Sequence, residues 1–107
     1  MEINQYHIIL VDLVKSIGSE IQKTRTCVVI SPDQMNRHLQ TIVVAPMTTR
    51  SRNYPTRKWI SHDLKMGWIV ADQIQTIDRS SIKRVVGTLT TAEIRKLKDV
   101  IKETYVD

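Results

Sequence analysis

His7-Ile8-Ile9-Leu10-Val11-Asp12-Leu13 is the first of three aliphatic runs that set the architecture of this chain. Cys27-Val28-Val29-Ile30 and Ile42-Val43-Val44-Ala45 are the other two. Short apolar runs of this kind are typical of strands that are covered on both faces. We therefore predict a β-rich core with a further element packed against its outer side.

Further strand-like runs continue along the chain, separated by Gly, Pro, Ser, Asn and Asp. Many short strands with turns between them indicate a sandwich or a barrel. The predicted strands are Ile8–Leu13, Thr26–Ile30, Thr41–Ala45, Arg57–Ser61, Trp68–Ala71, Gln73–Ile77 and Arg84–Leu89.

Two helices complete the predicted fold. In the C-terminal segment, apolar residues recur every three to four positions, which predicts an amphipathic helix near residues 91–104. Thr90 and Glu93 form a capping box ahead of it. A second, short helix is predicted through about His38, with Ser31 as its cap, Pro32 at its first position and Gln34 reaching back. The fold class is thus mainly β (α+β): a small, strongly curved sheet or barrel, a short helix after the second strand and a packed C-terminal helix.

Bulk composition bounds the class of protein. A length of 107 residues, with 41% hydrophobic and 25% charged residues, predicts one globular domain over residues 1–107. No apolar run approaches the roughly 20 residues that span a bilayer, so we expect a cytoplasmic protein without membrane contact. Cys27 is the only cysteine and the three histidines are scattered, so we expect no disulfide, metal or cofactor.

Positive charge is concentrated in one segment. The formal net charge is +5, and residues 48–65 hold five Lys or Arg against one Asp. Tyr54 and Trp59 lie among these basic residues, a mixture that suits a single strand with unpaired bases. A solvated loop and edge strand with basic side chains would give the same composition.

Two polar stretches flank the aliphatic runs and are predicted as loops: Gly18–Arg25 and Pro46–Pro55. Loops on a rigid scaffold commonly carry function, and these two could converge on one phosphate. The Arg25 guanidinium can bind two phosphate oxygens at once, and the Thr48 hydroxyl can donate to the same group. RNA cleavage without a metal needs such charge, together with a base for the 2′-OH.

Several separated motifs keep both order and spacing: Gly18-Ser19-Glu20 before Arg25, Val28-Val29-Ile30-Ser31-Pro32, Val44-Ala45-Pro46-Met47-Thr48, and Asp72-Gln73-Ile74. Together they resemble the MazF/PemK family of toxin endoribonucleases, from about His7 to the C-terminal helix. The resemblance implies an SH3-like barrel and a type II toxin–antitoxin toxin that cuts single-stranded RNA selectively. It further implies a homodimer, an acidic antitoxin in the basic groove, and Arg25 with Thr48 as the catalytic pair.

Other side chains are candidates of lower rank. Glu20 is placed in the catalytic set either as the base or as the group that orients Arg25, although a plain ion pair between the two is the structural alternative. Asn36 could instead serve a turn or helix cap, and Gln73 could be a buried amide. The RNA-binding candidates are Ser19, Asn36, Arg50, Arg52, Tyr54, Arg57, Lys58, Gln73 and Thr76.

The chain departs from the resembled pattern around Arg25. Ile21, Lys23 and Thr26 stand where the family usually has glutamine, glycine and proline, so the loop geometry is expected to differ. Two other functions therefore stay open: a gyrase-poisoning toxin of a related barrel, and an RNA-binding module without catalysis. The C-terminus lacks the Trp or Phe anchor that the first would need.

Overall fold

The computed structural model describes residues 1–13, 23–48, 57–62 and 65–106. Within these residues the chain forms seven strands and two α-helices. The strands are His7–Leu13 (β1), Lys23–Val29 (β2), Thr41–Thr48 (β3), Arg57–His62 (β4), Lys65–Val70 (β5), Gln75–Asp78 (β6) and Ile82–Thr88 (β7). The helices are Asp33–His38 (α1) and Thr91–Tyr105 (α2), and single 3₁₀ turns lie at Ala71–Gln73 and Arg79–Ser81.

The strands form one antiparallel sheet in the order β4-β5-β3-β2-β1-β7, with β6 paired to β3 beside that path. Among the described residues, β4 and β7 end the path without pairing to each other, so the sheet is open. The predicted mainly β, α+β class is confirmed, whereas hydrogen-bonded closure into a barrel is not seen in this part of the chain.

Side chains alternate between two faces of the sheet, and each face has its own core. What we call the inner face is formed by Ile9, Val11, Cys27, Val29, Ile42, Val44, Ile77 and Ile82. The helix-covered face is formed by Ile8, Val28, Ala45 and Ile69, on which Leu97 of α2 packs. Because β6, paired to β3, and β7, three strands away beyond β1, both contribute to the inner cluster, the sheet curls around that face.

Helix α2 is the cover that the aliphatic strands required. Its N-terminus has the predicted capping box: Glu93 N–H donates to Thr90 Oγ1 at 3.2 Å, and Thr90 N–H donates to Glu93 Oε1 at 2.8 Å. At the other end, Tyr105 OH donates to the Ala71 carbonyl at 2.6 Å and joins the helix to the turn after β5. Among the described residues, no helix has the length and apolarity needed to cross a membrane.

The start of α1 differs from the prediction by one residue. Pro32 occupies the N-cap position, and no side chain caps the helix. The predicted cap, Ser31, is engaged elsewhere: its hydroxyl donates to Asn36 Oδ1 at 2.5 Å and accepts from Val43 N–H at 3.1 Å. The Ser31 hydroxyl thus ties α1 to β3 instead of capping the helix.

All seven predicted strands exist, and three of them, β2, β3 and β5, extend three residues further than predicted. β2 begins at Lys23, so Arg25 lies within a strand, paired with Val11, and not in a loop. β3 continues through Pro46 to Thr48, so the second predicted loop begins later. Pairing of β2 with β1, and of β3 with β5, continues these strands into polar residues. Local composition alone does not predict that pairing.

Candidate active site

Arg25 lies on the inner face of β2, at the end of the apolar cluster. It is two residues from Cys27, so both side chains point to the same side of the sheet. Burial raises the pKa of the Cys27 thiol to about 11, and the positive charge of Arg25 acts in the opposite direction. Arg25 is half-buried, whereas Cys27 is fully buried.

The ladder between β2 and β3 ends where Arg25 is reached. Its pairs are Val29 with Val44, Val28 with Ala45, and Cys27 with Pro46. Proline has no N–H to donate, so it commonly ends a ladder or lies at an edge. Beyond Pro46, β3 pairs with β5 on its other side. A fork therefore opens between β2 and β3 immediately after the Cys27–Pro46 pair.

Arg25 and Thr48 lie at this fork at the same level. Each is two residues beyond the last ladder pair, one on β2 and the other on β3, which run in opposite directions. Since alternation has a period of two, both share the inner face with Cys27 and Pro46. The register thus puts the two residues that the sequence singled out on one face, on either side of the fork.

Trp68 adds an aromatic group to the same row. Its register partner in β3 is Thr48, and its partner in β4 is Trp59. The next residue, Ile69, belongs to the helix-covered face, so Trp68 lies on the opposite side together with Thr48. One transverse row of the sheet, interrupted by the fork between β3 and β2, therefore holds the pairs Trp68–Thr48 and Arg25–Val11.

Asp12, next to this row on β1, has a different electrostatic partner. Its Oδ1 lies 3.9 Å from Lys83 Nζ, and both side chains are exposed. Lys83 belongs to a register irregularity between β1 and β7, where Val11 pairs with Ile82 and Leu10 with Arg84. An exposed pair of this length contributes little stability. The described part of the chain contains no group of three or more His, Cys, Asp or Glu side chains that could hold a metal.

The structure places Asn36 in the core. This side chain is 1% exposed, its amide donates to the Ser31 carbonyl at 2.8 Å, and its oxygen accepts from the Ser31 hydroxyl. Its hydrogen bonds hold the segment between β2 and α1. The structural interpretation of Asn36 is thus favoured over RNA contact.

Gln73 and Thr76 lie at different distances from the fork. Gln73 is exposed in the 3₁₀ turn that follows β5, so its amide is not buried. Thr76 pairs with Val43, five residues from Thr48, which is about 17 Å along the strand. Gln73 is five residues from Trp68 along the chain, so neither Gln73 nor Thr76 lies at the level of Trp68 and Thr48.

Two of the remaining candidates lie on β4. Arg57 and Lys58 occupy β4 by their backbone, opposite Val70 and Ile69. The other five candidates lie outside the described residues: Ser19, Glu20, Arg50, Arg52 and Tyr54.

Comparison with known proteins identifies the family. The sequence model of the PemK-like, MazF-like toxins of type II toxin–antitoxin systems matches residues 4–105. The chain belongs to this toxin family.

Individual relatives agree with that assignment. The chain is 32% identical over 94 residues to the endoribonuclease toxin MazF of Escherichia coli K12, covering 85% of this chain and 83% of that protein. It is 28% identical over 76 residues to endoribonuclease MazF4 of Mycobacterium tuberculosis, covering 68% and 70%.

Solved structures share the fold of this MazF-like chain. A MazE–MazF crystal structure from Deinococcus radiodurans superposes with a TM-score of 0.85 at 18% identity, covering 97% of this chain and 96% of that one. A mycobacterial endoribonuclease in complex with its cognate antitoxin gives a TM-score of 0.78 at 20% identity, covering 94% and 91%. At these identities the similarity establishes the fold.

The departures from the MazF-like pattern also have a structural consequence. Lys23 and Thr26 pair with Leu13 and Leu10 in the β1–β2 ladder. Threonine favours strands and, unlike proline, carries an N–H. These two residues therefore extend β2 as a regular strand through Arg25.

Sequence reasoning missed Trp68 as a site residue. It was assigned only to a predicted strand, because an aromatic residue beside Ile69 and Val70 is an ordinary core pattern. The available signal was the strand period of two, which separates Trp68 from Ile69. Only the pairing of Trp68 with Thr48 shows that this face of β5 adjoins the candidate site.

Proposed function

We propose that this MazF-like chain is an endoribonuclease that cuts single-stranded messenger RNA selectively and without a metal. The activity named for its relatives supplies the class of reaction. The observation that carries it to this chain is the placement of Arg25 and Thr48 on one face, at one level of the fork between β2 and β3. The whole chain, residues 1–107, would form one toxin domain.

In this proposal Arg25 binds the equatorial oxygens of the scissile phosphate. A guanidinium is always charged and can contact two oxygens at once, and Thr48 donates its hydroxyl to the same phosphate. The 2′-oxygen attacks phosphorus as its proton leaves to a base, and the 5′-oxygen departs with a proton. The products are a 2′,3′-cyclic phosphate and a 5′-hydroxyl. Glu20 is the candidate for the base, or for the group that orients Arg25.

The substrate would lie along the basic segment. Arg50, Arg52, Arg57 and Lys58 would contact phosphates and Tyr54 a base, with Ser19 and Gln73 at the edges of the path. We leave Asn36 and Thr76 out of this path because one is buried and the other lies far along β3.

The relatives support a set of proposed partners. We infer that the toxin is a homodimer in the cytoplasm and that an acidic antitoxin segment covers the basic path and the fork. We further infer that the curved sheet belongs to the SH3-like barrel type. The structural neighbours in complex with an antitoxin support this partner.

Cleavage in EDTA tests the proposed function. The purified protein should cut single-stranded RNA in excess chelator and leave ends that carry a cyclic phosphate and a 5′-hydroxyl. A matched oligonucleotide with one 2′-deoxy residue at the cut position should resist. A strict need for Mg²⁺, or equal cutting of the deoxy oligonucleotide, would contradict the mechanism.

Two outcomes would favour the alternatives. Tight RNA binding by the wild-type protein without any cleavage would favour the catalytically silent RNA-binding module. Inhibition of purified gyrase without RNA cleavage would favour the gyrase-poisoning toxin.

A further inference from the structure

The aromatic residue next to the fork suggests how the substrate is held. Trp68 is the register partner of Thr48, so its backbone lies one strand spacing, about 4.8 Å, from that residue. Arg25 lies on β2, across the fork from Thr48 and two residues beyond the last β2–β3 pair. A group bound between Arg25 and Thr48 therefore has an indole-bearing strand on one side.

The exposure of Trp68 is compatible with ligand contact. Its neighbours Ile69 and Val70 are 0% and 3% exposed, whereas Trp68 is half-buried. Trp68 shares the face of Thr48, while the hydrophobic cover provided by α2 lies on the other face. Trp68 is therefore less buried than its neighbours in β5, and it lies on the face that carries the hydroxyl and the guanidinium.

The chemistry of this row differs from one side to the other. On the β1 and β7 side of Arg25, the row continues with Val11 and Ile82, which are buried in the inner cluster. On the β5 side it continues with Trp68. An unpaired base stacks on an aromatic ring irrespective of its identity, whereas a phosphate prefers the guanidinium. The row thus offers adjacent sites for a phosphate and for a base.

We infer that Trp68 stacks on the base of a nucleotide adjoining the scissile phosphate, and thereby fixes the RNA in the site. This rests on the proposed function and deepens it, because it assigns a base-binding residue to the same row. Trp68 takes no part in proton transfer. Its loss should weaken binding, and leave the rate at saturating protein nearly unchanged.

The test uses the wild-type protein and an oligoribonucleotide that spans its mapped cut site. A 2′-deoxy residue at that site keeps the RNA intact during binding measurements. Trp68→Leu should bind it about 5- to 100-fold more weakly, the range expected for one stacked base, and Trp68→Phe should recover most of the loss. An abasic substitution beside the cut position should weaken wild-type binding by a similar factor.

Combining the two changes gives the sharpest comparison. If the ring and the base contact each other, Trp68→Leu should lose little further affinity for the abasic RNA. In a Trp59→Phe background, where Trp68 is the remaining indole, RNA should also quench the fluorescence, and the abasic RNA should quench it less.

The outcomes separate this inference from the proposed function. The inference alone is overturned if the wild-type protein cuts RNA and Trp68→Leu binds both the intact and the abasic RNA as tightly as the wild-type protein does. If Trp68→Leu fails to fold, the affinities of the wild-type protein and of Trp68→Phe for intact and abasic RNA test the inference instead. Equal affinity for the two RNAs overturns it. Wild-type protein that cuts no RNA overturns the proposed function, and this inference with it.

Discussion

The two ends of the β2–β3 ladder carry polar residues of opposite kinds. At the Val29–Val44 end, Ser31 and Asn36 are 4% and 1% exposed and hydrogen bond to each other and to Val43 N–H. At the Cys27–Pro46 end, Arg25 and Thr48 are half-buried where the strands separate. Arg25 lies two residues before the aliphatic run Cys27–Ile30, and Ser31 directly follows that run.

This difference distinguishes polar groups that hold the fold together from those that we propose bind RNA. A buried hydroxyl and amide that satisfy each other stabilise the fold, and removal of one leaves the other without its partner. A guanidinium at the end of a ladder adds little stability but can bind an anion. Substitutions at the two ends should therefore affect different properties.

Arg25→Ala should give the largest effect at the open end. We expect cleavage to fall by at least about 10²-fold, the scale of one lost transition-state donor, and stability to change by no more than about 1 kcal/mol. Arg25→Lys keeps the charge but cannot make the bidentate phosphate contact. It should restore RNA binding but little of the cleavage rate. Thermal unfolding and single-turnover cleavage measure both effects. Cleavage at the wild-type rate by Arg25→Ala would remove this residue from the mechanism.

Asn36→Ala should show the reverse behaviour at the closed end. It deprives Ser31 of its amide partner in the core, and we expect a loss of about 2–3 kcal/mol in the free energy of unfolding. Cleavage per folded molecule should stay unchanged. Gln34→Ala, at an exposed position of the same helix, is the control and should change stability by about 0.5 kcal/mol at most. Unchanged stability in a denaturant titration of Asn36→Ala would argue that the Ser31–Asn36 contact has no structural weight.

Thr48→Val should have an intermediate effect on catalysis. The substitution keeps the branched shape and removes one hydroxyl donor, so we expect cleavage to slow by about tenfold, equivalent to about 1.4 kcal/mol, with RNA affinity largely kept. Thr41→Val is the matched control, because Thr41 is exposed at the other end of β3. If both variants cut RNA equally fast in a single-turnover assay, the Thr48 hydroxyl has no role in the chemistry.

The sequence was sufficient to predict the strands and helices, but not the contacts between residues on different elements. Short strand-like runs between turn residues located every strand, and apolar periodicity with the Thr90–Glu93 pair located α2, because these signals are local. The passage of β3 through Pro46 was missed, since proline normally ends a strand and only pairing with β5 continues this one. Periodicity likewise could not show that Ser31 bonds to Asn36, or that Thr48 faces Trp68.

Removing positive charge from β4 should have the smallest effect, a change in the salt dependence of RNA binding. Arg57→Ala combined with Lys58→Ala should lower the dependence of log affinity on log salt by about 1.4, since each phosphate contact on a single strand contributes about 0.7. Lys96→Ala combined with Lys98→Ala removes the same charge from exposed positions of α2 and should leave that slope unchanged. Equal slopes for the two double variants would place the RNA away from β4.

The proposal that Arg25 and Thr48 act as one unit is tested most directly by a double-mutant cycle. Single-turnover cleavage at saturating protein would be measured for the wild type, Arg25→Ala, Thr48→Val and the double variant, in EDTA. If both side chains contact the same phosphate, the double variant should be only slightly slower than Arg25→Ala, because the second loss falls on a contact that is already impaired. A double variant whose loss equals the product of the two single losses would show that the residues act independently, and would contradict a shared site at the fork.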